Sequence, residues 1–209
     1  MHDMVERQPN FPDLFQVAVR QMGYFTTAQA EEHAISRKLL HHHVRSGKIE
    51  RVYRGVYRFR DYPSAPREEV AAAWLAVGRD VAVVSHESAL DLHELSDIIP
   101  NAIEITIPRE KRYLRPPRGI TVHTSMRPIE RGDVRRIEGV PVTSPARTIV
   151  DVAEAGTSEE HVHSAALEAI DRGIMSIHAL RKAAQFRSSR VRDAIDRAID
   201  VATSGGAKP

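Results

Sequence analysis

Residues Ser36–Phe59 read SRKLLHHHVRSGKIERVYRGVYRF, and the fold follows from how this stretch divides. Ser36 is a good N-cap, because its hydroxyl can accept from a free amide of the first helical turn, and Gly47 suits the left-handed position just beyond a helix end. The spacing therefore predicts a helix over about residues 37 to 46. At roughly 100° per residue, Leu40 and Val44 share one face, while Lys38, His42 and Arg45 gather on the opposite face with His41 at its edge. Beyond Gly47 the period changes to two. Ile49, Val52, Val56, Tyr57 and Phe59 alternate among basic residues, and Arg54-Gly55 marks the turn of a β-hairpin. Between Ser36 and Arg60 stand eight cations, Arg37, Lys38, Arg45, Lys48, Arg51, Arg54, Arg58 and Arg60, against the single carboxylate Glu50, although the whole chain carries only +2. A helix with a free basic face followed by a basic hairpin suits the phosphates and major groove of duplex DNA.

The residues before this stretch supply the rest of a winged helix-turn-helix. Apolar residues from Pro12 to Met22 recur at helical spacing, with Gly23 closing the helix, and Tyr24-Phe25 is expected to add one short strand rung. Thr26 then caps a second helix, with Gln29 three residues on as its capping-box partner. The first domain is thus residues 1–62, and Tyr62–Pro66, YPSAP, is the expected linker. Pro66 is expected in the first turn of a helix running to Val77.

Residues 66–209 read as an α/β domain with a helical C-terminal part, so the chain as a whole is α+β. Strands are expected at Val81–Val84, Ala102–Ile107, Ile120–His123, Val134–Ile137 and Val140–Val142, and Ser85 is expected to cap a helix through about Glu94. Ser144, Ser158, Ser176 and Ser189 each open a later helix.

The length of 209 residues leaves room for one large or two small domains, and apolar content of 42% with 28% charged residues is ordinary for a globular protein. Without cysteine there are neither disulfides nor thiolate metal sites, and a reducing cytoplasm is the expected location. No apolar run approaches the length of a membrane span.

Several segments together resemble the AbiEi antitoxin family of bacterial toxin-antitoxin systems. In order they are GYFTTAQA at 23–30, ISRKLL at 35–40, RSGKIERVYRGVYR at 45–58, SHESALDLHEL at 85–95, ITIPRE at 105–110 and GVPVTSPARTIVD at 139–151. The resemblance implies a winged-helix domain that binds repeats in the chain's own promoter. It also implies a second domain that counters a cognate nucleotidyltransferase toxin, directly or indirectly.

The candidate DNA contacts are Ser36, Arg37, Lys38, His41, His42 and Arg45 at the helix, and Lys48, Arg51, Arg54 and Arg58 on the hairpin. Thr26 and the free amides of helix two are a further phosphate site. No cofactor is implied. Metal binding at His41-His42-His43 is disfavoured, since consecutive helical residues diverge by about 100° and cannot converge on one ion. Ser85, His86, Glu87 and His93 lack the order of a nucleophilic triad and read as structural hydrogen-bonding groups, so no catalytic residue is assigned.

The alternative is a DNA-processing enzyme targeted by its winged helix; against it, no paired carboxylates with a nearby lysine stand in a recognisable nuclease order. A second basic cluster, Arg109, Lys111, Arg112, Arg115 and Arg118, suits an extended DNA footprint, an acidic partner or a solvated loop. Residues 80–104 carry Asp80, Glu87, Asp91, Glu94, Asp97 and Glu104 with no lysine or arginine, the composition of an acidic face.

Overall fold

The structure, a computed structural model, describes residues 8–205. Contacts divide the chain into two compact units. The first runs through Val81 and takes in residues 115–117 and 138–140; the second holds the rest.

Helix α1 (Phe11–Val19) begins at Asn10, whose side chain accepts from the Asp13 amide at 3.0 Å. It stops three residues before Met22, and the chain then turns through Met22 and Gly23, both at positive φ. Glycine is required at 23 for a second reason: the Tyr62 ring lies against its Cα, and a Cβ there would sit 2.5 Å from that ring. Strand β1 (Tyr24–Thr26), helices α2 (Thr27–Glu32) and α3 (Arg37–Arg45) and strands β2 (Ile49–Tyr53) and β3 (Val56–Phe59) follow in winged-helix order.

The sheet is antiparallel in the order β1-β3-β2, so β3 is its central strand and β2 an edge. Leu14, Ala18, Phe25, Ala30, Ile35, Leu40 and Ile49 form the core between helices and sheet, with Tyr57 and Phe59 packed against it. Fully burying the leucine, isoleucine and phenylalanine side chains among them stabilises by about 1.5–3 kcal/mol each before chain entropy is subtracted.

Helix α4 (Glu68–Gly78) covers more of the first unit and buries Val70 through Leu75 and Val77. Pro66 lies in a turn ahead of it rather than inside its first turn. Arg67 at φ 62 leads into the helix, and the acidic pair Glu68 and Glu69 occupies the positive end.

The second unit holds a five-stranded sheet of β4 (Val83–Val84), β5 (Ile103–Pro108), β6 (Ile120–Ser125), β7 (Val134–Ile137) and β8 (Val140–Thr143), ordered β6-β5-β4-β8-β7. The pairs β4-β8 and β5-β6 are parallel, and β4-β5 is antiparallel. Helices α5 (His86–Leu92), α6 (Pro145–Ala155), α7 (Glu159–Asp171), α8 (Ile177–Ala184) and α9 (Ser189–Gly205) complete it. Their core includes Leu90, Ile149, Val150, Val152, Leu180, Ile195 and Ile199.

Ser144, Ser158 and Ser176 cap α6, α7 and α8, each accepting from the amide three residues on. At α9 the cap shifts by one residue: Ser188, not Ser189, accepts from the Val191 amide. The architecture is thus α+β, a winged helix-turn-helix followed by an α/β unit that ends in helices.

Candidate nucleic-acid interface

The helix-turn-helix is positioned by two satisfied caps. Ser36 Oγ accepts from the Leu39 amide at 3.3 Å, and Thr26 and Gln29 form a reciprocal capping box. Gln29 also exchanges amide hydrogen bonds with Gln21 at 2.9 and 3.3 Å, a buried polar pair that ties α2 to the end of α1. At the wing, the Thr27 amide donates to the Gly55 carbonyl at 2.9 Å, so the hairpin tip is fastened to the start of α2. Gly55, at φ +80, supplies the left-handed residue that the two-residue turn needs.

Along α3, Leu40 is buried and Val44 partly so, while Lys38, His41, His42 and Arg45 are exposed. His43 is partly buried with its ring edge-on to Phe11, and burial, reinforced by His42 and Lys48, holds its pKa below the ordinary value. The three neighbouring imidazoles do not converge; the His42 and His43 rings are 5.5 Å apart and steeply inclined. Arg37 is 80% exposed at its side chain and reaches Glu31 at 2.9 Å, a solvent-screened pair that binding can exchange for phosphate at small cost. Lys48, Arg51 and Arg54 are exposed along the edge strand and turn. Thr26 is half-buried with its oxygen occupied by the cap, so what it offers a phosphate is the helix end rather than a free hydroxyl. Ser36 is exposed and capped in the same way.

Arg58 departs from its expected place on the DNA side. It is only 8% exposed, its guanidinium meets Glu68 at 2.9 Å, and it donates to the carbonyls of Phe59, Tyr62 and Pro63. The reason lies in its strand. Tyr57 and Phe59 of β3 point into the helical core, so Val56 and Arg58 take the opposite face, and there Glu68 at the start of α4 meets the guanidinium. Tyr24, which pairs with Arg58 in register, is buried beneath the same group; burial foremost, with Glu68, pushes its hydroxyl up to about 12. Arg58 therefore fastens the linker and α4 to the wing. Seven exposed cations remain: Arg37, Lys38, Arg45, Lys48, Arg51, Arg54 and Arg60, the last absent from the expected contact set.

In the second unit Ser85 does not cap α5. Its oxygen instead accepts from Thr106 at 2.8 Å and lies 2.9 Å from His86 Nδ1. Glu87 accepts from Thr157 and His93 bonds the Thr143 carbonyl, both structural contacts. The acidic run is largely consumed inside the unit: Glu104 pairs with His123 at 3.0 Å, Glu87 with His161 at 3.3 Å and Glu94 with Arg172 at 3.6 Å. Among the described residues no group of three histidines or carboxylates is arranged to hold a metal.

Two family models match this chain. "Transcriptional regulator, AbiEi antitoxin" covers residues 12–60, and "AbiEi antitoxin C-terminal domain" covers residues 81–200. The chain belongs to the AbiEi antitoxin family. Both AbiEi matches describe a regulator or antitoxin rather than an enzyme, and the first spans the winged helix just described. Among solved structures, this AbiEi-family chain is similar to the RV2827C protein from Mycobacterium tuberculosis, at 14% identity and a TM-score of 0.59, over 95% of this chain and 80% of that one. At that identity the likeness speaks for the fold alone. No curated protein matches. Among the described residues no helix is long and apolar enough to cross a membrane.

Proposed function

We propose that the winged helix binds duplex DNA in the promoter of the chain's own operon and represses it, and that the second unit counters a cognate nucleotidyltransferase toxin. The observation that carries the DNA reading is the sidedness of α3. Leu40 is fully buried, yet Lys38, His41, His42 and Arg45 all stand in solvent, and Lys48, Arg51 and Arg54 continue the exposed charge onto the hairpin edge. Lys38, His41, His42 and Arg45 would meet the major groove and the phosphates that border it, with the wing cations on flanking phosphates. The toxin partner rests on the family assignment and on no geometry of the chain.

A gel shift with the region upstream of the gene tests the DNA reading. The intact protein should shift that fragment at low salt, and Lys38→Ala/Arg51→Ala/Arg54→Ala should weaken the shift about a hundredfold or more, since each phosphate deprived of its cation weakens binding roughly five- to tenfold near physiological salt. Absence of a shift by the intact protein at low salt would remove the reading. The alternative, an enzyme that cuts the DNA it binds, predicts nicked plasmid after incubation with magnesium, where a repressor leaves it intact.

A further inference from the structure

The second unit contains a polar cavity of about 450 Å³ that the DNA-binding reading does not use. Its lining includes Thr106 on β5, His123 and Ser125 on β6 and His86 at the start of α5. The His86 and His123 rings stack face to face at 3.7 Å and 18°. His86 has a φ of 53, a left-handed conformation that a residue with a Cβ ordinarily avoids and that tends to persist where a side chain must be aimed. A relay holds its ring. Thr106 donates to Ser85 Oγ at 2.8 Å, and Ser85 Oγ in turn lies 2.9 Å from His86 Nδ1, which leaves Nε2 outside that relay. On His123, Nε2 donates to Glu104 at 3.0 Å, which leaves Nδ1 as the ring's other nitrogen. Burial first, then the neighbouring His123, lowers the pKa of His86 to about 4, so His86 stays uncharged near neutrality.

The wall of the cavity is ionic but internally balanced. Arg147 Nε donates to both oxygens of Asp151 at 2.8 and 2.9 Å, and Arg187 adds a bond to the same carboxylate at 2.6 Å. The rim is different. Met126 and Phe186 are 73% and 64% exposed, and the Arg127 guanidinium lies 4.6 Å over the Phe186 ring while donating to its carbonyl. Beyond Met126, which Arg109 contacts, Arg112 lies 4.4 Å over the Tyr113 ring, itself 76% exposed. Arg109, Arg112 and Arg127 have no carboxylate partner among the described residues.

An exposed ring paired with an uncompensated guanidinium at the mouth of a cavity within the size range of small-ligand sites, with a second such pair on the turn that touches Met126, suits a ligand with both a flat aromatic face and an anionic group. The ring nitrogens His86 Nε2 and His123 Nδ1 of the stacked imidazoles then offer in-plane partners to a heterocycle edge.

We propose that this cavity binds a nucleotide, with its base between Phe186 and the imidazole pair and its phosphate on Arg127 and the Arg109–Arg112 turn. The same chemistry is offered by a free mononucleotide and by the terminal residue of a single strand. The test uses full-length protein carrying Lys38→Ala/Arg51→Ala/Arg54→Ala, so that binding by the winged-helix cations is weakened and a failure here leaves the promoter reading to its own gel shift. Calorimetric titration with AMP, GMP, CMP and UMP, and with inorganic phosphate, is paired with anisotropy of fluorescein-labelled RNA and DNA hexanucleotides.

The expected result is saturable binding of at least one nucleotide, weakened fivefold or more by Phe186→Ala and by Arg127→Ala, two exposed positions whose replacement leaves the melting temperature unchanged. His86→Asn, which keeps a side chain tolerant of the left-handed conformation but loses the ring and its Nε2, should weaken it equally. Tighter binding of a hexanucleotide than of any mononucleotide by tenfold or more assigns the strand end; the reverse assigns the free nucleotide. Absence of saturable binding by every nucleotide and both hexamers overturns the proposal. So does binding that none of the three substitutions alters, or inorganic phosphate binding as tightly as the nucleotides.

Discussion

Arg54 and Arg58 sit four residues apart in one hairpin and have opposite fates. Arg54, at the tip, is exposed, whereas Arg58, on the central strand, is buried against Glu68 and three backbone carbonyls. The edge strand β2 shows the same exposure as the tip, with Glu50, Arg51 and Val52 all facing solvent. What separates the two arginines is neither charge nor local sequence but position in the sheet. A central strand has both faces covered, one by the helical core and the other by α4, and a cation there must find its partners inside. The basic stretch is therefore two devices, an outward set left in solvent and one inward cation that holds the unit together.

The largest expected effect breaks the inward device. Arg58→Ala leaves the Glu68 carboxylate and three carbonyls without their shared donor, and removing one partner of a buried ion pair costs about 3–5 kcal/mol. Urea denaturation should show that loss as a lower midpoint. Arg54→Ala should stay within about 0.5 kcal/mol of the parent, as surface substitutions usually do. Equal midpoints for the two variants would erase the distinction drawn here.

A second effect sharpens the contrast between outward and inward titratable groups. His86 titrates at about 4 in the fold against 6.5 when unfolded, so the unfolded chain binds the extra proton between those values. Stability is therefore fully present above about pH 6.5 and falls as the pH drops toward 4, by up to about 1.4 kcal/mol per pH unit. Glu104 acts in the same direction lower on the scale. Its burial favours the protonated form, but hydrogen bonds from His123 and the Glu87 amide outweigh that and hold its pKa below the ordinary 4.5. Melting temperatures measured from pH 7.5 to 5 should fall for the parent and fall less for His86→Asn. Identical slopes would place the acid sensitivity elsewhere.

Much of the first unit is legible in the sequence because its signals are local. The Ser36 cap, the Thr26–Gln29 box and the Arg54-Gly55 turn each depend on residues within a few positions, and each stands where the sequence places it. The apolar face of α3 is equally readable from period alone. Arg58 is not, because period two tells which residues share a face but not that a strand from residues 24–26 would pair along β3 and a helix from residue 68 would cover its outer face. Pro66 precedes by two residues the helix it is expected to open, since proline suits a turn as readily as a first helical turn. In the second unit Ser85 carries a cap signal, yet Thr106 and His86, distant and adjacent, claim its hydroxyl instead. The cluster of Arg147, Asp151 and Arg187 leaves only an i,i+4 pair on α6 as a local trace, and nothing in the chain order predicts the third member.

The central claim is that only the outward cations meet DNA, and the salt dependence of binding to the upstream fragment tests it most directly. With about six cations on phosphate, log affinity should fall against log salt with a slope of roughly −5. Arg51→Ala/Arg54→Ala should flatten that slope by about two units. Arg58→Ala, assayed on the fraction that remains folded, should leave it unchanged. A slope unmoved by the double substitution, or flattened by Arg58→Ala to the same degree, contradicts the account.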